Sequence, residues 1–223
     1  MKKKDLVIFD LDGTLIDSAP SLHKALNYML QELNLEPLDL ETVRDFIGNG
    51  SAILVKRALA RDIDYQKYEI DEDLAKKGLE ILMKYYGDNL TQDTILYKGV
   101  EETLNTLFKK GYKMALATNK AHKFVPEILE HFNLDKYFEY TIGAGIVENK
   151  KPHPQMLLKV CKDMQVEPKS AIMVGDTNND ILAAKNAKMD SIALTYGYSA
   201  INVNEFSPTF VCNNFNEITN FLV

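Results

Sequence analysis

Leu6-Val7-Ile8-Phe9-Asp10-Leu11-Asp12-Gly13-Thr14 decides the reading of this chain: four apolar residues run straight into two carboxylates, a glycine and a hydroxyl. An unbroken apolar run with β-branched and aromatic members predicts a strand buried on both faces, as in a parallel sheet. Parallel sheets deliver the carboxyl ends of their strands to a ligand crevice, so Asp10 and Asp12 are expected at such an end. Buried carboxylates this close repel each other unless a cation or a shared proton neutralises them. Taken alone, Asp-x-Asp-Gly is more often an ordinary strand followed by an Asp-Gly turn, and the rest of the chain has to decide.

Downstream, Ser18-Ala19-Pro20 is a helix start, and Leu22, Ala25, Leu26, Met29, Leu30 and Leu33 recur at helical spacing. Shorter helical patterns run through Val43 and Phe46, from Ser51 to Ala60 and from Asp71 to Tyr86, with no convincing strand between residues 18 and 88. The character then changes. Helices expected at Val100 to Lys110, His122 to Phe132, Pro154 to Met164 and Asn179 to Ala187 alternate with strands at Lys113 to Thr118, Tyr140 to Gly143, Ala171 to Gly175 and Ser191 to Leu194. A closing helix is expected from Phe215 to Leu222. Such alternation predicts an α/β fold with a parallel sheet. The gap between Asp10 and Thr118 far exceeds the roughly 30 residues of a βαβ crossover. The excess reads as an α-helical domain, residues 18–88, inserted into a core made of 1–17 and 89–223.

Composition narrows the function. The chain has 223 residues, 46% of them hydrophobic, and a net charge of -6, which argues against a nucleic-acid binder or an anionic-membrane binder. No apolar run approaches the about 18 residues of a membrane span, and the run after Lys2-Lys3-Lys4 is shorter than the roughly 7–15 residues of a signal-peptide core. A cytoplasmic location is the expectation. Cys161 and Cys212 lie far apart without metal-ligand spacing and read as reduced core residues. His23, His122, His131 and His153 show no spacing that suggests a metal site or a triad. Asp17 reads as a capping or turn residue.

Four features fall at expected strand ends: Asp10-Leu11-Asp12-Gly13-Thr14, then Thr118-Asn119, then Lys151 within Lys150-Lys151-Pro152-His153-Pro154, then Gly175-Asp176-Thr177-Asn178-Asn179-Asp180. Each alone has a plain structural explanation as a turn, a helix cap or a solvated lysine. Jointly and in this order they resemble the haloacid dehalogenase-like hydrolase superfamily over essentially the whole chain. The resemblance implies a Rossmann-like core with a helical cap, with Asp10 as nucleophile and Asp12 as general acid and base. It also implies Thr118, Asn119 and Lys151 on the phosphoryl oxygens. The Asp10 carboxylate, the Asp12 backbone carbonyl and Asp176 match the family's Mg²⁺ ligands, and Asp180 would orient Lys151 or a metal-bound water. These types suit phosphoryl transfer, which needs charge neutralised, the group held in line and a nucleophile. For the acid role Asp12 has to be protonated, which crowding by other carboxylates favours. The dehalogenase branch lacks a carboxylate at the Asp12 position, so dehalogenation is disfavoured.

Arg44-Asp45-Phe46-Ile47-Gly48-Asn49-Gly50, Lys56-Arg57, Ala117-Thr118-Asn119-Lys120 and Leu194-Thr195-Tyr196-Gly197-Tyr198 resemble the phosphoglycolate phosphatase branch. That implies hydrolysis of a small phosphorylated metabolite, 2-phosphoglycolate first, by a monomer or homodimer. Gly48-Asn49-Gly50 ahead of a helix could present amides to a small carboxylate, with Arg44, Lys56 or Arg57 adding charge. A phosphatase for nucleotides or sugar phosphates, a pyrophosphatase, a phosphoglucomutase and a non-catalytic sensor of a phosphorylated metabolite are the rival readings. One departure stands out: Lys188 occupies a position where relatives commonly place glycine, and a left-handed helix end there would strain a lysine.

Overall fold

The computed structural model describes residues 4–222. In chain order the elements are β1 (Leu6–Phe9), β2 (Ile16–Asp17), α1 (Ala19–Glu32), α2 (Leu40–Phe46), α3 (Ser51–Ala60), α4 (Glu72–Asp88) and β3 (Ile95–Leu96). They continue with α5 (Val100–Lys109), β4 (Lys113–Ala121), α6 (Val125–His131), β5 (Tyr140–Ala144), α7 (Gln155–Asp163), β6 (Ala171–Gly175), α8 (Asn178–Asn186), β7 (Asp190–Leu194), β8 (Phe210–Cys212) and α9 (Thr219–Leu222). The chain divides into two compact units, one of residues 1–17 and 96–223, the other Ser18–Ile95.

The first unit is a six-stranded parallel sheet in the order β5-β4-β1-β6-β7-β8. All four residues of β1 are fully buried, as the apolar run requires. Leu6 and Ile8 join Ala115, Ala117, Ile142 and Met173 in one layer with Met156, Leu157 and Val160 of α7 and Ala183 and Ala184 of α8. Phe9 meets Phe138 and Phe215, with ring centroids 6.1 and 5.9 Å away. Burial of each such large side chain contributes about 1.5–3 kcal/mol. The chain steps from β1 to β4 and β5 on one side, then returns to β6 on the other, so β1 lies at the topological switch point where a crevice opens. Phe9 is level with Leu116 of β4 and Val174 of β6, so Asp10, Thr118 and Asp176 emerge together at the carboxyl edge.

The second unit is helical. Asp39 and Asp71 cap α2 and α4 by accepting backbone N–H bonds from Thr42 and from Asp73 and Leu74, while Leu26, Met29, Leu30, Val55 and Leu82 fill its interior. It extends past Asp88 to Ile95 because Leu90 and Thr94 are buried and Asp93 pairs with Lys24 at 2.6 Å. No helix among the described residues is long and apolar enough to cross a membrane.

Several stretches differ from the sequence expectation; the closing helix, for one, is a 3-10 turn over Phe215–Ile218 and α-helical only from Thr219. The expected helix at 122–132 begins as a 3-10 turn, His122–Phe124, because β4 runs on to Ala121. The edge strand β8 was not anticipated: it has three residues, and only Cys212 of the three is buried. Cys161 and Cys212 are both free and buried, and burial pushes their thiols up to about 11 and about 12. Lys188 does take the left-handed conformation, φ 56°, and closes α8 with Met189 N–H donating to the Ala184 carbonyl at 2.9 Å.

Candidate active site

The turn after β1 is built to bring polar groups back to the sheet edge. Asp10 N–H donates to the Val174 carbonyl at 2.9 Å, which fixes the start of the turn against β6. Gly13 then adopts φ 82°, and a Cβ there would overlap the Asp176 carboxylate. The turn carries Thr14 inward, so that its hydroxyl donates to Asp176 Oδ1 at 2.7 Å. From the other side, Tyr198 N–H donates to Asp176 Oδ2 at 2.8 Å, an approach possible only because Gly197 also lacks a Cβ. The hydroxyls of Tyr196 and Tyr198 reach the Thr14 carbonyl at 2.7 Å and Asp17 at 2.8 Å, tying this loop to the β1 turn.

Asp10, Asp176 and Asp180 form a buried cluster in which one oxygen from each lies within 4.8 Å of the others. Lys151 is the cation set among them. Its ammonium is 3.0 Å from Asp10 Oδ1 and donates to Asp180 Oδ1 and to the Ala117 carbonyl, each at 2.6 Å. Burial raises the Asp10 pKa from 3.8 to about 7 against the pull of Lys151, with Asp180 adding to the rise. Burial, then Asp180 and Asp10, raises Asp176 well above the usual carboxylate range. For Lys151 the burial penalty is outweighed by Asp10 and Asp180, which hold its pKa above the ordinary value.

Three carboxylates around one ammonium leave net negative charge in a desolvated place, and the donors are all oxygen. That combination fits a hard divalent cation. The partners of each carboxylate differ. Asp180 Oδ2 accepts from the Thr177 N–H and hydroxyl at 3.0 and 2.9 Å, completing a capping box on α8, and its other oxygen holds Lys151. Each oxygen of Asp176 accepts one hydrogen bond, and Asp10 Oδ1 is ion-paired with Lys151 without a well-aligned hydrogen bond. Asp10 and Asp176 therefore retain lone pairs for a metal, while Asp180 is committed to the lysine and the cap.

Asp12 has a different setting. Its carboxylate meets the Lys120 ammonium at 2.9 and 3.1 Å and is not part of the three-carboxylate cluster, so the crowding expected around Asp12 falls on Asp10 and Asp176. Thr118 is buried, and its Oγ1 accepts from the Lys120 N–H at 3.2 Å. Asn119 donates through its side chain to the Lys151 carbonyl at 2.9 Å, so the β4 end and the lysine loop hold each other. Lys120, Thr14, Gly197 and Tyr198 stand in the quoted motifs, but no spacing rule singled them out. The signal for Lys120 would have been a buried lysine at the end of a strand, where a cation needs an anion.

Arg44, Gly48, Asn49, Gly50 and Arg57 all lie in the second unit. Gly50 caps α3 at φ 83°. Arg57 donates to the Phe46 carbonyl at 2.7 Å and to the Ile63 carbonyl at 3.0 Å, joining α2 to α3, and Arg44 lies 3.7 Å from Glu41.

Residues 7–194 match the model of the haloacid dehalogenase-like hydrolases. The chain belongs to that family. It is 40% identical to a phosphoglycolate phosphatase of Colwellia psychrerythraea over 98% of this chain and 96% of that one. Against the phosphoglycolate phosphatase of Vibrio parahaemolyticus the identity is 42% over 96% and 93%. The crystal structure of a predicted phosphoglycolate phosphatase from Haemophilus somnus superposes with a TM-score of 0.93 at 35% identity, covering 100% of both chains. The chain is an enzyme, a phosphoric monoester hydrolase with a Rossmann-like α/β core.

Proposed function

We propose that this enzyme hydrolyses 2-phosphoglycolate to glycolate and phosphate through a phosphorylated Asp10, with Mg²⁺ as cofactor. The observation that carries the reading is the buried set of Asp10, Asp176 and Asp180 around Lys151 at the switch point, with Asp12 two residues beyond Asp10. The names of the relatives speak for the substrate.

In this reading the Asp10 carboxylate attacks phosphorus and displaces the ester oxygen, dividing one hard hydrolysis into two easier displacements. Lys151, the Thr118 hydroxyl and the Asn119 N–H take the phosphoryl oxygens, whose charge would otherwise repel the nucleophile. Asp12 protonates the departing alkoxide, then removes a proton from the water that attacks the aspartyl-phosphate. Asp10, Asp176 and the Asp12 backbone carbonyl would hold Mg²⁺, which supplies charge neutralisation at the transferring group when bound. Asp180 acts through Lys151 and the α8 cap, fixing the ammonium that faces the phosphate.

Phosphate release from 2-phosphoglycolate, p-nitrophenyl phosphate, pyrophosphate, a nucleoside monophosphate and a hexose phosphate, each with Mg²⁺ and with EDTA, tests this. A metal-dependent preference for 2-phosphoglycolate that is abolished in Asp10→Asn is the expected result. Metal-dependent preference for another ester replaces the substrate and keeps the mechanism. Absence of turnover by folded protein refutes both.

A further inference from the structure

Lys120 is a buried charge at the strand ends that phosphoryl transfer does not use. Its ammonium sits 2.9 and 3.1 Å from the two Asp12 oxygens, with its side chain 5% exposed and that of Asp12 13%. On the phosphatase reading, Asp12 has to come within about 3 Å of the leaving oxygen to protonate it. The ammonium that touches Asp12 then lies within roughly 6 Å of that same oxygen.

That distance selects a kind of leaving group. In the phosphate ester of an α-hydroxy acid, ordinary bond lengths put the carboxylate oxygens about 3 Å from the ester oxygen. An ammonium-carboxylate hydrogen bond spans about another 3 Å, so the two lengths together reach Lys120. A charge several bonds farther along a longer leaving group would overshoot it. Lysine suits the task, because a compact ammonium with three donors can serve a second carboxylate while keeping Asp12. Two other candidate cations for the site have partners of their own. Lys151 is 1% exposed and committed to Asp10, Asp180 and the Ala117 carbonyl, and Arg57 is committed to the Phe46 and Ile63 carbonyls.

We infer that Lys120 reads the carboxylate of the substrate, so that the leaving groups accepted are α-hydroxy acids, with glycolate the smallest. The inference rests on the phosphatase reading and names the residue that turns a general phosphatase into one for carboxylate-bearing esters.

The test compares 2-phosphoglycolate with 2-hydroxyethyl phosphate, which has the same length and a hydroxyl in place of the carboxylate, in wild type, Lys120→Met and Lys120→Arg with Mg²⁺. Wild type should prefer 2-phosphoglycolate. In Lys120→Met, kcat/KM for 2-phosphoglycolate should fall roughly tenfold to hundredfold further than for the neutral ester, the extra loss lying in KM, with partial recovery in Lys120→Arg. Equal losses for both esters would assign Lys120 to holding Asp12 alone and overturn the inference. So would a wild-type preference below about tenfold, which needs no variant to measure.

Calorimetry separates this failure from failure of the hydrolytic reading. Asp10→Asn and the double variant Asp10→Asn with Lys120→Met are titrated with 2-phosphoglycolate and with inorganic phosphate. Weaker binding of 2-phosphoglycolate by the double variant, with phosphate bound alike by both, supports the assignment even if wild type hydrolyses no ester, a result that would refute the phosphatase reading instead. Equal binding of 2-phosphoglycolate by both proteins overturns the assignment whatever the turnover.

Discussion

Replacing Asp10 by Asn should stabilise the metal-free protein while abolishing its activity. Burial raises the Asp10 pKa from 3.8 to about 7 even with Lys151 at 3.0 Å. That rise corresponds to about 4 kcal/mol by which ionised Asp10 disfavours the folded state. The sign follows from proton binding: the folded state holds the Asp10 proton more tightly, so between pH 4 and pH 7 folding is favoured by acid and weakened as pH rises. Below about pH 4 Asp10 is neutral in both states and the effect vanishes; above pH 7 it is ionised in both and the full cost remains. Asparagine resembles the neutral form at every pH. The stability difference between Asp10→Asn and wild type should therefore be near zero at pH 4 and about 4 kcal/mol in favour of the variant at pH 8. For a chain of this size that is roughly 8–16 °C in Tm. The assay is thermal or urea unfolding of both proteins in EDTA across this pH range. Mg²⁺ should reverse the order, stabilising wild type by mass action and the variant much less. A difference that is flat with pH, or a variant less stable than wild type at pH 8 without metal, would refute the reasoning.

Other perturbations test neighbouring parts of the structure. Lys151→Met leaves Asp10, Asp176 and Asp180 without their cation and should cost about 3–5 kcal/mol in EDTA at pH 8, less at pH 5, read by urea unfolding. Gly197→Ala places a methyl group on the buried Asp176 side chain and should raise the Mg²⁺ concentration for half-maximal phosphate release by about tenfold or more, while overpacking lowers the stability in EDTA by about 1–3 kcal/mol. Lys188→Gly removes a left-handed lysine at the end of α8 and should gain roughly 0.5–1 kcal/mol in unfolding free energy with kcat unchanged.

The fold was legible because its signals are local. The uninterrupted run Leu6–Phe9 has no polar face and is too short for a buried helix, so a strand covered on both sides is what hides it. The helices of the inserted unit announce themselves by periodicity, whereas the Asp39 and Asp71 caps are seen only in the structure. What escaped was non-local. The edge strand β8 has too few buried residues to carry a pattern, and it exists because β7 offers it a ladder. Lys120 is one lysine among many until the sheet brings it, 108 positions along, to Asp12.

That last juxtaposition bears on how the proposed mechanism gives Asp10 and Asp12 different work. Alternation along an extended strand would put Asp10 and Asp12 on the same face, so the turn that follows β1, closed by Thr14 N–H and Leu15 N–H on the Leu11 carbonyl, is what separates them. Asp10 faces two further carboxylates and one lysine in a buried cluster, a setting that suits a metal-held nucleophile. Asp12, about as buried, meets the Lys120 ammonium apart from that cluster, a setting that suits a group meeting leaving group and water in turn. On the proposed mechanism the two carboxylates of the motif take two roles from their surroundings, which β4, β6 and the lysine loop supply. An Asp-x-Asp-Gly turn without Asp176, Asp180, Lys120 and Lys151 across from it would place two equivalent acids at a strand end. The chemistry therefore belongs to the assembled sheet edge as much as to the motif itself.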